Sequence, residues 1–303
     1  MHPNTPKTGP YFIIFAAILW AVDGILLRPS FAGLPVALVI LIESAGIALV
    51  LAPLSSQRLT IIWKLGWQSI SALLGVGILG GAIGTMAITT AIIQSDFVNI
   101  SIVLLIQKLQ PVFAIILAGL LLKENPQKSF YGWAFLAFAG SWIMTFGLDI
   151  PAFSSGTRSL YAALYATIAA ISFGASTVLS KRVLRDVDFG TCTWLRFLIS
   201  TVFLFIVVLA WGYFPAVSQV THEQIGIFFI LIFVTSGPAI LIYYYGLKRT
   251  TASAATIYEL AFPLTAILLE YVLLDNMMSP TQWAGIILLS AAILKINSSS
   301  HAR

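Results

Sequence analysis

The chain has 303 residues, of which 59% are hydrophobic and only 9% charged, with a formal net charge of +5. A soluble domain carries about 25% charged residues; a deficit spread over the whole length excludes a soluble globular protein and indicates a polytopic membrane protein. No basic run is long enough to track nucleic-acid phosphates, and the single Cys192 excludes an internal disulfide and a cysteine-only metal site.

A bilayer-spanning helix needs about 20 mostly apolar residues. The sequence predicts ten, over Tyr11–Leu27, Leu34–Leu54, Trp67–Ile93, Phe97–Leu122, Phe130–Leu148, Leu160–Leu179, Gly190–Tyr213, Gln224–Gly246, Ala252–Leu274 and Thr281–Ile296. The connections are short, hold most of the Pro, Ser, Lys and Arg, and leave no room for a soluble domain. Lys7 ahead of the first apolar run mimics a signal peptide. The segment is read as a membrane helix because it carries Asp23 and has a counterpart past the midpoint.

Lys and Arg in short loops set orientation. With the N-terminus cytoplasmic, twelve of the 16 fall inside, Arg28 and Arg158 fall outside, and Lys108 and Arg196 lie within helices. Both termini are therefore expected inside. His2, His222 and His301 fall in predicted tails or loops. The chain also lacks H-E-x-x-H, G-x-S-x-G and Walker motifs. No catalytic residue, metal, cofactor or ATP-driven step is expected.

One pattern occurs twice. Gln107-Lys108-Leu109-Gln110-Pro111 is followed by an apolar run and Leu121-Leu122-Lys123-Glu124. Glu259-Leu260-Ala261-Phe262-Pro263 is followed by an apolar run and Leu273-Leu274-Asp275-Asn276. The prolines lie 152 positions apart (263 − 111). Proline cannot donate to the carbonyl four residues back, so the carbonyls of Gln107 and Glu259 are expected to be freed. Free backbone oxygens at membrane depth are tolerated only inside protein or beside a water-filled cavity. Because five crossings separate the copies, the chain is expected to form two inverted halves, residues 1–150 and 151–303. Such repeats place a substrate site near the midplane between them. Trp133 pairs with Trp283 in this scheme, and Gly80-Gly81 with Ser236-Gly237-Pro238.

A charge at a helix centre costs about 2.5–3.5 kcal/mol on insertion scales and is rarely idle. Glu43 reads as a proton-coupling or cation-binding carboxylate, or as a structural partner of Lys108 or Asp23. Lys108 reads as a holder of a substrate carboxylate or as that neutralising partner. Gln107, Gln110 and Pro111 share a face. Trp20 and Asp23 could hold an ammonium, or Asp23 could pair with Arg28. Glu259 occupies the repeat position of Gln107. Arg196 is close enough to the inner helix end to snorkel to the interface. Of Tyr243, Tyr244 and Tyr245, no more than two can face one cavity; Tyr244 is placed there. The candidate binding set is Trp20, Asp23, Glu43, Gln107, Lys108, Gln110, Tyr244 and Glu259, with Pro111, Pro238 and Pro263 as helix breaks. Gly77, Gly80, Gly81 and Gly84 fit close helix packing, and Asp96 a helix cap.

This order of features resembles the drug/metabolite transporter superfamily of the EamA type. The match rests on Pro111 and Pro263 followed by Leu-Leu and Glu124 or Asn276, on the small-residue-rich third helix, and on Arg196-Phe197 early in the seventh. Glu43 and Lys108 depart from the usual pattern. The resemblance implies an all-α membrane protein of two inverted five-helix repeats in the bacterial inner membrane, acting as a secondary-active carrier of a small polar metabolite by alternating access. Export is the direction it implies, and a proton or counter-solute the coupling partner. Charges of both signs favour an amino acid or small amine. The alternatives are a carrier of sugars or other metabolites and a non-transporting membrane sensor. The lipid bilayer is a partner, nucleic acid is not, and a monomer or homodimer fits.

Overall fold

The computed structural model describes residues 8–55, 65–94, 103, 106–148, 157–273 and 277–300. Among these residues the regular structure is all helical, without strands. The principal runs are α1 (Gly9–Phe31), α2 (Val36–Ser55), α3 (Trp67–Ala91), α4 (Gln110–Leu122), α5 (Lys128–Phe146), α6 (Thr157–Val183), α7 (Phe189–Ala210), α8 (His222–Lys248), α9 (Ala252–Leu273) and α10 (Pro280–Ser300). Seven of them, α1, α2, α3 and α6 to α9, are long and apolar enough to cross a membrane, and α4 is a shorter apolar helix. The N-terminal part of the fourth predicted helix, with Asp96, lies mostly outside the described residues, as do Leu274, Asp275 and Asn276.

Local chemistry sets the boundaries. The Asp188 carboxylate accepts from the amides of Gly190 and Thr191, both at 3.1 Å, and starts α7. Thr221 and Gln224 form a reciprocal capping box at the start of α8. Thr251 accepts from the Ala254 amide at 3.2 Å at the start of α9. α4 ends where Lys123 turns left-handed at φ 56°.

The prolines do more than kink their helices. α9 is interrupted at Glu259–Leu260, between Tyr258 and Ala261, and the corresponding turn at Lys108–Leu109 precedes α4. The Glu259 carbonyl, expected to be free, accepts from the Phe262 amide at 2.9 Å. The tighter i to i+3 turn replaces the donor that Pro263 lacks. Pro238 is accommodated differently. It follows a π-helical segment, Leu231–Thr235, whose wider turn shifts the bonding by one residue. The partner glycine region of α3, Val76–Ile83, is π-helical too, and so is Asp23–Leu27 of α1.

The packing is symmetrical. α1 packs on α8 and α9, and α6 packs on α3 and α4; α2 pairs with α7, α4 with α9 and α5 with α10. Exchanging α1–α5 for α6–α10 maps this pattern onto itself. Helices in lipid associate through close approach, because their surroundings are as apolar as they are. At the α5–α10 contact a Cβ on Gly285 would lie 2.2 Å from the Met144 amide nitrogen, so glycine sets the spacing. Ile13, Ala16, Met144, Tyr244, Leu247, Tyr258 and Leu289 fill the buried core, while Leu49, Leu120, Phe135 and Leu209 point outward as a lipid-facing surface would.

Candidate functional site

The break in α9 presents the Glu259 side chain to α4, α6 and α8. Its Oε2 accepts from Gln110 Nε2 at 2.7 Å, and its Oε1 from the Tyr243 hydroxyl at 2.6 Å. The Thr177 hydroxyl lies 3.2 Å from Oε1 and 3.1 Å from the Tyr243 oxygen. With one proton it serves one of them at a time. Gln110 follows the break before α4, so the two proline-linked turns meet side chain to side chain. The Trp20 ring of α1 rests against Tyr243, centroids 5.2 Å apart.

Tyr243 also touches Tyr244, at 5.7 Å between centroids, and the network continues through it. The Tyr244 hydroxyl lies 2.8 Å from Ser180 Oγ and accepts from Arg196 Nη1 at 3.1 Å. Arg196 also donates to Ser176 Oγ at 3.4 Å and to the Gly80 carbonyl at 3.0 Å, inside the π-helical part of α3. Ser200 donates to the Gly77 carbonyl of the same segment at 2.9 Å. α7 thus satisfies oxygens that the π turns turn outward. The result is two hydrogen-bonded groups, one around Glu259 and one around Arg196, joined by the contact between the Tyr243 and Tyr244 rings, with the Trp20 ring of α1 against the first.

A second cluster joins the end of α1 to α2 and α8. Arg28 Nη2 donates to Asp23 Oδ2 at 3.0 Å and to both Glu43 oxygens at 3.2 and 3.1 Å. Ser236 Oγ donates to Asp23 Oδ2 at 3.1 Å. Asp23 and Arg28 are five residues apart. The π segment carries the Arg28 amide onto the Asp23 carbonyl and brings both side chains to one face.

Lys108 belongs to neither cluster. Its ammonium donates to the Ser141 carbonyl at 3.0 Å and to the Thr145 hydroxyl, with the Phe146 ring centroid 5.9 Å away. The Glu43–Lys108 pair, one of the alternatives for these residues, is therefore not formed: Arg28 takes Glu43, and the turn at Lys108–Leu109 aims Lys108 at α5. The expectation that Arg196 snorkels is also replaced, because Tyr244, Ser176 and Gly80 hold its guanidinium inward. Trp20, Gln110 and Glu259 meet around Tyr243, and Tyr244 lies against the same ring while bonding Ser180 and Arg196. Asp23 and Glu43 come together elsewhere, and among the described residues Gln107 joins none of these clusters. Pro111 and Pro263 flank the meeting turns, and Pro238 lies two residues beyond Ser236. Sequence reasoning missed Thr177, Tyr243 and Ser236, and put Arg28 in an outer loop. Spacing did carry one signal, since Thr177 and Ser180 repeat at helical spacing on the face of Gly174.

At the other end of the bundle Glu124 caps α9. It accepts from the amides of Ala252 and Ser253 at 2.8 and 2.9 Å and from Ser253 Oγ at 2.7 Å. Lys181 donates to the terminal carbonyls of α8 at Leu247 (2.8 Å) and Lys248 (3.1 Å). Each charge complements the helix end it meets.

Comparison with known proteins agrees with this architecture. Residues 7–146 and 160–298 each match the EamA-like transporter family. The chain is 37% identical over 290 residues to the riboflavin transporter ImpX of Fusobacterium nucleatum subsp. nucleatum, spanning 95% of this chain and 97% of that one. It is 30% identical over 190 residues to the uncharacterized transporter YwfM of Bacillus subtilis, covering 62% of this chain and 61% of the relative. A solved crystal structure, 17% identical, superposes with a TM-score of 0.73 over 97% of this chain and 96% of its own, which shows the fold.

Proposed function

The chain belongs to the EamA-like transporter family, and we propose that it is a secondary carrier for riboflavin or a closely similar neutral solute that joins an aromatic ring system to a polyol. The observation that carries this reading is the Glu259 assembly, which offers aromatic faces at Trp20 and Tyr243 beside amide and hydroxyl groups at Gln110, Thr177 and Tyr243. A flat ring can stack on the first group, and sugar-like hydroxyls can exchange with the second. The relative named as a riboflavin transporter supports the same class. An amino acid or small amine, favoured by the charge inventory, finds no such support. Asp23 and Glu43 face Arg28, Glu259 is held by three neutral donors, and Lys108 is turned to α5.

In this reading the chain is an integral membrane protein of a bacterial inner membrane with ten crossings. Residues 1–150 and 151–303 form inverted halves that rock about the Glu259 assembly. The symmetry of helix pairing and the two family matches support that division. Both termini face the cytoplasm on the strength of the Lys and Arg bias. Counterflow in proteoliposomes tests the substrate. Vesicles loaded with unlabelled riboflavin should take up labelled riboflavin saturably, and loading with amino acids should not drive that uptake. Counterflow of an amino acid and none of riboflavin would reverse the assignment.

A further inference from the structure

The cluster at the end of α1 carries one more negative charge than positive. Two carboxylates, with side chains only 4% and 7% exposed, share the single guanidinium of Arg28. The donors to Asp23 all converge on one oxygen. Arg28 Nη2, Arg28 Nε and Ser236 Oγ reach Oδ2 at 3.0, 3.3 and 3.1 Å. Oδ1 of the same carboxylate is buried and has no hydrogen-bond partner among the described residues. The charged groups facing Asp23 are Arg28 from its own run and Glu43 from α2. α8 contributes Ser236, preceded by Thr235, whose buried hydroxyl is also unpartnered among the described residues. From α9 the Phe262 ring lies against Gly24. A bare oxygen bearing part of an unbalanced charge at membrane depth is costly, by several kcal/mol.

We propose that Asp23 Oδ1 is the binding point of a monovalent coupling cation, a proton or Na⁺, which neutralises the Asp23–Glu43–Arg28 cluster. The proposal rests on the carrier reading above. It assigns the cluster a place in the transport cycle, because Ser236 is the point at which α8 joins it. Ser236 stands where the π segment of α8 ends and two residues before Pro238, where the backbone bonding is least regular. Occupancy of Oδ1 removes the repulsion between Asp23 and Glu43 and keeps α1, with its Ser236 contact to α8, drawn to α2 through Arg28. Vacancy weakens that hold. A cation gradient is thereby tied to movement of one half against the other.

Two readouts test this, one of them independent of the solute. The first is the Tm of purified protein in detergent, followed against Na⁺ at constant ionic strength with choline as the replacement, and separately against pH. The Tm should rise with one of the two cations in the wild type. That dependence should be lost in Asp23→Asn and in Glu43→Gln, either of which removes the surplus charge; the pair guards against one variant failing to fold. The second is riboflavin distribution in proteoliposomes with the membrane potential clamped at zero. A tenfold gradient of the active cation should shift the distribution about tenfold from equality in the wild type, and leave a ratio near one in the variants. A wild type indifferent to both cations in both readouts, while symmetrical riboflavin counterflow proceeds, would overturn the proposal. So would variants that respond as the wild type does. Absence of riboflavin counterflow would instead refute the substrate reading, and the Tm dependence would then decide the cation site alone.

Discussion

Arg28→Gln removes the only cation that Asp23 and Glu43 touch among the described residues. The contacts are 3.0 and 3.1 Å between nitrogen and oxygen. Charges centred about 4 Å apart interact by about 4 kcal/mol at an effective dielectric near 20. Two such pairs overstate the loss, because the guanidinium also sheds its desolvation cost and its side chain is 31% exposed. Breaking a buried pair costs about 3–5 kcal/mol. The exposure of Arg28 puts this case at the low end, about 3 kcal/mol, after discounting for solvent screening. The cluster then holds two unbalanced carboxylates, so adding Asp23→Asn to Arg28→Gln should recover about 1–2 kcal/mol. Unfolding of the purified protein in mixed micelles by titrated detergent measures both. The reasoning is refuted if Arg28→Gln stays within about 0.5 kcal/mol of the wild type, or if Asp23→Asn deepens the loss in the Arg28→Gln background.

Three further outcomes follow from the same contacts. Tyr243→Phe keeps the ring against Trp20 but deletes the hydroxyl that meets Glu259 at 2.6 Å. It should cost about 1.5–3 kcal/mol in the unfolding assay, whereas Tyr245→Phe, whose ring packs on Phe12 and Phe189, should cost less than about 0.5 kcal/mol. Gly285→Val would drive its Cβ to 2.2 Å from the Met144 nitrogen and 2.7 Å from its Cα, both backbone atoms that cannot step aside. It should destabilise by about 1–3 kcal/mol or more, while Gly226→Ala, with open space around the new Cβ, should not lower the Tm. Asp186, in the loop before α7, is held below the usual carboxylate range chiefly by the Ser69 hydroxyl, with Arg182 adding to it. A lowered folded-state value contributes stability above the unfolded value and loses it as pH falls through the folded one. Asp186→Asn should therefore lower the Tm at neutral pH and flatten the acid limb of a Tm-against-pH curve below about pH 4, where wild type and variant converge.

Hydropathy was enough to place the helical runs, because lipid leaves the backbone few alternatives. The two proline motifs were legible for a related reason: a proline inside a buried helix removes a backbone donor that the local structure must replace. Their consequence for Glu259 was not legible. Whether the freed carbonyl stays open depends on whether the chain closes a tighter turn, and here the Phe262 amide does so. The Asp23–Arg28 pair, one of the two readings of Asp23, forms, but its geometry could not be read from its spacing. Five residues place side chains on different faces of an α-helix, and only the π segment reunites them. Lys108 misled for the converse reason: an interior lysine asks for a carboxylate, yet the turn before Pro111 gives it a backbone carbonyl and a hydroxyl on α5. The charge inventory therefore suggested a zwitterionic solute, although inventory alone could not reveal that the charges answer one another.

The most direct test of the central claim is counterflow of labelled riboflavin into proteoliposomes loaded with unlabelled riboflavin, at symmetrical pH and salt. The account predicts saturable entry that excess external riboflavin competes away and that amino acids and small amines leave unchanged. Folded, correctly inserted protein that shows no riboflavin counterflow, or that exchanges an amino acid in its place, would contradict it.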